Sequence, residues 1–251
     1  MGQQASFVSF TGNIGKLTFY KNKDGFMVRE KGGVTKERIM NDPKYARTRE
    51  NMREFAEAAS AVKLLKNSIR PAIISSTDSR LHRRLQHAMV KVVKSDPVNT
   101  RGERKVTEGN WDLLKGLQLN AGANLTSVLK KHVVITNTGE TLAISLPAFH
   151  PASYLMAPSG TTNYRIYLMG GAIDLELADF NLEKVESEML SVRASSPELT
   201  LELNKVPLEF NHRVFVLGIE FFQTVNGEEF PMNDSGYNAG TIILTEKIDT
   251  P

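Results

Sequence analysis

A glycine-rich run near the start of the chain has the residue types of a phosphate-binding loop but not its spacing. Such a loop needs a glycine bend whose amides face the phosphate, and then a Lys beside a Ser or Thr that holds magnesium. In Gly12-Asn13-Ile14-Gly15-Lys16-Leu17, two residues separate the glycines where four are required, and Leu17 takes the hydroxyl position. Because β-rich segments flank the run, the sequence predicts a β-turn here and no nucleotide site.

The side chains that most often take part in catalysis are not spaced as in known catalytic or metal-binding motifs. The chain has no Cys, which excludes a thiol nucleophile, a thiolate zinc site and disulfides. Its five histidines are His82, His87, His132, His150 and His212. They lack metal-ligand spacing, and no Ser lies in a Gly-x-Ser-x-Gly elbow. Glu183, Glu186 and Glu188 are interpreted as solvated charge. We therefore predict that the protein is not an enzyme and has no catalytic residue, metal site or cofactor.

The net charge of +3 combines two halves of opposite sign. Residues 1–131 carry 25 Lys and Arg against 12 Asp and Glu, a net charge of +13, whereas residues 132–251 carry 6 against 16, a net charge of −10. Three interpretations stay open: helices and strands that differ in surface composition, complementary faces that attract between copies of the protein, or a basic face for nucleic acid.

Cations of the basic half are the candidates for nucleic-acid contact, because neutralising phosphates needs clustered cations and nothing more specific. These candidates are Arg80, Arg83, Arg84, Lys91, Lys94, Arg101, Arg104 and Lys105. No base-reading motif accompanies them. Nucleic-acid association through the basic helical half is therefore an alternative function.

The first elements that could position functional residues are strands. Three β-rich runs, Phe7–Phe10, Lys16–Tyr20 and Phe26–Arg29, predict a three-stranded meander with glycine-bearing turns. A sheet this small has one modest apolar face, which must pack on the following helices or on another subunit. The candidates for a self-assembly face are Phe7, Phe10, Phe19, Tyr20 and Phe26.

A helical pair is predicted next. Asp42-Pro43 favours a helix that starts there and runs to about Ser68, and Thr77-Asp78 favours the start of a second one. The apolar side of the first comprises Tyr45, Met52, Phe55, Ala56, Ala59, Val62 and Leu65, and that of the second Leu81, Leu85, Ala88, Met89 and Val92. The polar segment from Ser95 to Gly109 is predicted to be the most mobile.

Strand-like runs dominate the chain after His132. They cover residues 133–136, 141–146, 164–169, 173–177, 199–203, 214–222 and 241–245. Seven such runs with intervening turns predict an antiparallel, Ig-like β-sandwich. The run from Val214 to Phe222 is apolar at odd and even positions alike, so both faces of the strand would be buried, which predicts a central strand.

The predicted fold class is therefore α+β, with two domains. Residues 1–131 form a basic region with the β-meander and the helical pair, and residues 132–251 form an acidic β-sandwich domain. Loops around His150–Thr162 and Phe230–Asn238 would give the sandwich a place to bind a ligand or a protein partner. That binding module is a second alternative function.

Three motifs in the first 70 residues carry a resemblance to a known group of proteins. They are the run from Thr11 to Tyr20, the run from Asp24 to Gly33, and Arg47-Thr48-Arg49-Glu50-Asn51 with Glu54-Phe55. Together they resemble a group of uncharacterised proteins from Bacteroidota and their mobile elements. The resemblance implies a bacterial source and a phage-type or self-assembling structural role, with localisation in a virion or another assembled particle. It brings no catalytic residue.

The start of the chain predicts no export. Met1–Phe10 has no basic n-region, and no stretch approaches the ~18 apolar residues of a membrane span, so we expect a cytoplasmic product as synthesised. The small aromatic meander and the two oppositely charged halves, taken with the absent catalytic motifs, favour a non-catalytic structural protein that assembles into a homo-oligomer. Its expected partner is itself.

Overall fold

The computed structural model of the chain describes residues 2–5, 8–30, 32–76, 78–232 and 236–248. Helices are combined with antiparallel sheets, which confirms the mixed α and β class. The chain divides into two compact units, Met1–Glu50 and Asn51–Pro251, and each is described by itself. This division differs from the predicted one between residues 131 and 132.

The first unit contains an antiparallel sheet in the order β1-β4-β3-β2. Its strands are β1 (Gly2–Gln3), β2 (Gly12–Ile14), β3 (Leu17–Asn22) and β4 (Gly25–Glu30). Two-residue turns at Gly15-Lys16 and Lys23-Asp24 join the last three strands, and Gly15 supplies the positive φ of +55° that the first turn requires. A two-residue turn fixes which residues of the two strands pair, so the strand before Gly15 comprises residues 12–14. The strand predicted at Phe7–Phe10 is wrong for residues 8–10, and Phe7 lies outside the described residues.

Short helical segments follow the sheet. Helix α1 (Lys36–Asn41) precedes a 3-10 turn, Pro43–Tyr45, and helix α2 (Ala46–Ser68) contains the boundary between the units. The carboxylate of Asp42 accepts the backbone N–H of Lys44 at 3.0 Å, which confirms its predicted capping role. None of the described residues between 2 and 50 is buried.

The helices of the second unit follow α2. They are α3 (Arg70–Ser75), α4 (Leu81–Lys94), α5 (Leu125–Val128) and α6 (Pro151–Tyr154), with a 3-10 turn at Trp111–Leu114. In α2 the buried apolar residues begin at Ala58, so Met52 and Phe55, predicted on the packed side, are 48% and 56% exposed. Helix α4 buries Leu81, Leu85, Met89 and Val92 as predicted. Within the described residues, no helix combines the length and apolar character needed to cross a membrane.

Two antiparallel sheets complete the second unit. The smaller has the order β10-β6-β5, and the larger is built around β11, with β7 on one side and β13 and β12 on the other; β8 and β9 pair with the far side of β7. The strands are β5 (Val134–Asn137), β6 (Thr141–Leu146), β7 (Asn163–Asp174), β8 (Asp179–Glu186), β9 (Leu190–Ser191), β10 (Leu199–Asn204), β11 (His212–Val225), β12 (Glu228–Pro231) and β13 (Ala239–Lys247). The predicted central position of the strand at residues 214–222 is confirmed.

Both faces of the larger sheet are covered. Tyr167 and Met169 of β7 join a core cluster with α2 and α4, whereas the alternate residues Ile166 and Leu168 join a second cluster with β6 and β10. A strand buried on both faces has apolar residues at odd and even positions alike, which explains the nearly continuous apolar sequences of β7 and β11. The first cluster also explains why the units do not divide at residue 131: helices from before that point share one core with strands from after it.

Six of the seven predicted strands of residues 132–251 are present, and the one at residues 173–177 is wrong. The carboxylate of Asp174 accepts the backbone N–H groups of Glu176 and Leu177, both at 2.8 Å, and Ala178 has a φ of +56°. These bonds form a turn that ends β7. Pairing resumes in β8, where Asp179 lies opposite Asp174.

The segment predicted to be the most mobile, Ser95–Gly109, is held by carboxylates. Asp96 accepts the backbone N–H groups of Val98, Asn99 and Lys105 at 2.7, 3.1 and 2.8 Å. Burial alone would raise the pKa of Asp96, but these bonds and one from the Asn99 side chain lower it to about 2. Glu54 of α2 accepts the N–H of Gly102 at 3.1 Å. The loop is therefore fixed at several points, contrary to the prediction.

Candidate functional site

The strand register of the first unit places a set of apolar side chains on one face. Phe19 lies opposite Val28, and Leu17 lies opposite Ile14. Residues that pair directly across antiparallel strands share a face, as do residues two apart along one strand, so Phe26 lies on this face with Val28. The ring of Phe10 lies 6.2 Å from that of Phe19 between centroids. We define the apolar sheet face as Phe10, Ile14, Leu17, Phe19, Phe26 and Val28.

Much of the apolar sheet face is exposed. Ile14 is 62% exposed, Phe10 50% and Leu17 41%, while Phe19, Phe26 and Val28 are half-buried. A four-stranded sheet of this size without a buried residue has no core of its own. The face is therefore a place where a partner could bury apolar surface.

Two of the predicted assembly residues do not lie on the apolar sheet face. Tyr20 follows Phe19 on β3 and so points to the opposite face, where it pairs with Met27. The guanidinium of Arg29 lies 5.7 Å from the Tyr20 ring. Phe7 lies outside the described residues. The prediction also missed Ile14, Leu17 and Val28, although the i, i+2 spacing of Leu17 with Phe19 and of Phe26 with Val28 was available as a signal.

Helix α4 carries a second candidate surface. At 3.6 residues per turn, Arg83, His87, Lys91 and Lys94 lie within an arc of about 80°. All four are exposed, and none of their side chains has a hydrogen bond or ion pair within the described part of the chain. We call these four residues the basic helix face. The sequence prediction had omitted His87, whose i+4 spacing from Arg83 is the signal that could have found it.

Four of the eight predicted nucleic-acid residues, Arg80 among them, have internal contacts. Arg84 pairs with Asp78 at 2.6 Å and donates to the backbone carbonyls of Gln118 and Leu119 at 3.1 and 3.0 Å. Its guanidinium holds the pKa of the Asp78 carboxyl well below the usual range. Arg104 lies 3.5 Å from the buried Glu54, and Arg101 donates to Asn51 at 2.9 Å. Arg101, Arg104 and the exposed Lys105 lie in the loop after α4, not on the helix.

A groove of about 480 Å³ runs beside the basic helix face. Arg84, His87 and Lys91 line one wall, and Lys115 and Gln118 contribute to the other. Lys115 forms an ion pair with Asp112 at 2.8 Å. The groove thus adds one cation of the following segment, paired with Asp112, to those of the helix.

Two other cavities contain a buried titratable side chain. One, of about 400 Å³, is lined by His212, which is 5% exposed and stacks on Trp111 with 4.8 Å between ring centroids. The ring Nε2 of His212 lies 3.3 Å from the carbonyl oxygen of Thr107, and burial lowers the pKa of this histidine. The other cavity, of about 340 Å³, contains Arg165 paired with the buried Glu220 at 2.8 Å. It includes Met232 and Asn238 from one of the loops predicted for ligand binding, of which residues 233–235 lie outside the described part.

The remaining sequence candidates have ordinary structural roles. Gly15-Lys16 is the hairpin turn between β2 and β3. Glu186 pairs with Arg165 at 2.8 Å and with Lys184 at 2.7 Å. Among the described residues, no group of three His, Asp or Glu side chains is arranged to hold a metal ion. No family model, curated protein or solved structure matches the chain.

Proposed function

We propose that the protein is a non-catalytic structural subunit that assembles with copies of itself through the apolar sheet face. The observation that carries this proposal is a sheet that has five apolar side chains on one face, beside Lys21 and Glu30, with the Phe10 ring packed against Phe19 and no buried residue among the described residues of its unit. The resemblance of the first 70 residues to proteins of mobile elements supports a role in a virion or another assembled particle.

The energy of such an assembly comes mainly from apolar burial. Full burial of a large apolar side chain contributes about 1.5–3 kcal/mol. Covering the exposed parts of Phe10, Ile14 and Leu17 therefore supplies about 2–5 kcal/mol per copy. An exposed ion pair contributes only about 0–1 kcal/mol. Apolar contact thus outweighs any single ion pair at this surface.

Charge supports a second copy as the partner and sets its orientation. The basic half of one chain, with a net charge of +13, attracts the acidic half of another, with −10. A head-to-tail contact of this kind closes into a ring or continues as a filament. The apolar sheet face lies in the basic half.

The test is the assembly state of the purified chain, measured by size-exclusion chromatography with light scattering and then by electron microscopy. We expect oligomers, rings or filaments that weaken as salt is added. A monomer of 27.9 kDa at high concentration, at both low and moderate salt, would overturn the proposal.

A matched pair of variants assigns the surface. Phe19→Glu places a charge on the apolar sheet face, and Tyr20→Glu places the same charge on the opposite face of the same strand. We expect Phe19→Glu to dissociate the oligomer and Tyr20→Glu to leave it intact. Ile14→Asp, at a side chain that is 62% exposed, repeats the test with less risk to folding. Equal assembly of all three variants would exclude this face.

We also propose that the two sheets of the second unit are the layers of a β-sandwich. The second core cluster supports this, because it contains Leu142 and Ile144 of β6 together with Phe215 and Leu217 of β11. The Ig-like character stays a prediction from the sequence.

A further inference from the structure

The stability of α4 explains only some of the cations on the basic helix face. Cations near the C-terminus of a helix interact favourably with its dipole, which explains Lys91 and Lys94. Arg83 lies in the first turn, where a cation is unfavourable, and that turn contains no acidic side chain. Its neighbour Arg84 is compensated by Asp78, but Arg83 has no partner within the described residues.

The spacing of these cations favours a ligand with repeated negative charges. Arg83, His87 and Lys91 are each four residues apart, which is roughly 6 Å along the helix axis, and Arg83 to Lys94 spans about 16 Å. A single small anion would contact only one or two of them. A nucleic-acid backbone carries one negative charge per nucleotide along its whole length.

The adjacent groove gives such a ligand a second set of contacts. His87 and Lys91 belong both to the basic helix face and to the wall of the 480 Å³ groove, and Lys115 lines the groove as well. A backbone that follows the helix can therefore be contacted from two sides. The residues that line the groove include no Phe, Tyr or Trp to stack on a base.

We propose that the basic helix face and this groove bind the phosphate backbone of a nucleic acid without reading its sequence. Arg83, Lys91 and Lys94 neutralise phosphates. His87 donates a hydrogen bond to a phosphate oxygen. Arg84 positions the groove wall through its bonds to the segment at Gln118 and Leu119. This proposal uses α4 and not the apolar sheet face, so variants can test it separately from self-assembly.

The test is fluorescence anisotropy of the full chain with labelled 20-nucleotide single-stranded DNA, duplex DNA and RNA at pH 7. With the three phosphates neutralised by Arg83, Lys91 and Lys94, the logarithm of the affinity for duplex DNA should fall with a slope near −2.7 against the logarithm of salt concentration. From 50 to 200 mM salt this is a loss of about 40-fold. Strands of different sequence should bind equally.

Variants locate the binding surface. Lys91→Gln should weaken binding to every sequence and reduce the salt slope by about 0.9, because one phosphate contact is lost. Lys63→Gln, the same change at an exposed residue of α2 that lines a different cavity, should leave both unchanged. Arg83→Glu should weaken binding further than Lys91→Gln. All three positions are exposed, so thermal melting should show a folded chain in every variant, with only small shifts from the helix dipole.

Several results would overturn the proposal. These are no binding to any of the three polymers at 50 mM salt, a salt slope near zero, or equal losses from Lys91→Gln and Lys63→Gln. Oligomers that dissociate in Lys91→Gln, without nucleic-acid binding by the wild type, would assign the basic helix face to an acidic surface of a second copy instead.

Discussion

Removal of the Glu54 carboxylate should release the loop that follows α4. Glu54 is 2% exposed, accepts the N–H of Gly102 at 3.1 Å and lies 3.5 Å from Arg104. In Glu54→Ala, the buried Gly102 amide loses its partner, which costs about 1–3 kcal/mol. The Arg104 side chain is 28% exposed and can be rehydrated, so breaking its ion pair with Glu54 adds less than the ~3–5 kcal/mol that a broken, fully buried pair costs. We expect a total destabilisation of about 2–4 kcal/mol.

The matched control is Glu103→Ala. Glu103 also pairs with an arginine, Arg53 at 2.5 Å, but both side chains are about two-thirds exposed, at 65% and 64%. Such a pair contributes about 0–1 kcal/mol. The two variants thus make the same chemical change and differ in the burial of the carboxylate and in the backbone amide of Gly102 that Glu54 holds.

Two assays measure the effect. Urea denaturation gives the change in the free energy of unfolding, and trypsin reports opening of the loop, which contains Arg101, Arg104 and Lys105. The wild type should resist cleavage there, and Glu54→Ala should be cut roughly 30- to 900-fold faster if the whole cost falls on local opening. Equal stability and equal cleavage rates in the Glu54→Ala and Glu103→Ala variants would refute the reasoning.

Two further predictions concern the core and the pH response. A Cβ at Gly218 would lie 2.2 Å from the Tyr167 ring, so Gly218→Ala should destabilise by about 1–3 kcal/mol in urea titrations, whereas Gly139→Ala, with open space around it, should be neutral or slightly stabilising. Burial lowers the pKa of His212 below its value of about 6.5 in the unfolded chain. Between pH 7 and 5 the unfolded chain therefore binds more protons than the folded one, and the free energy of unfolding should fall as the pH drops through this range. This fall in stability should be shallower in His212→Phe, which keeps an aromatic ring against Trp111; an unchanged slope would contradict the assignment.

Elements with strong local periodicity could be predicted from the sequence. The buried side of α4 follows from apolar residues at i, i+4 and i+8, and the central position of β11 follows from apolar residues on both parities. The turn between β11 and β12 is present at the predicted Asn226-Gly227, where both residues have positive φ values of +53° and +84°. In each case, residues close in the chain carry the whole signal.

Elements whose ends depend on distant or competing contacts were placed less well. The alternating pattern at residues 173–177 is typical of a strand, but Asp174 binds backbone amides two and three residues ahead and forms a turn. Met52 and Phe55 have the spacing of a packed helix face, yet only the later part of α2 reaches the core of the second unit. The segment at residues 95–109 has the composition of a mobile loop, and carboxylates of α2 and of the loop itself hold it.

The sequence by itself determined which residues form the candidate surfaces in broad terms: aromatic residues near the start of the chain and cations around α4. Only the tertiary structure decided which of these side chains are free of internal contacts and exposed to a binding partner. Register placed Phe19 and Tyr20 on opposite faces of one sheet, and ion pairs engaged Arg84 and Arg104 while Arg83 stayed without a partner within the described residues. The reason is physical: residue type and spacing specify the charge and shape of a side chain, but whether that side chain meets solvent or a partner depends on segments that are distant in the chain.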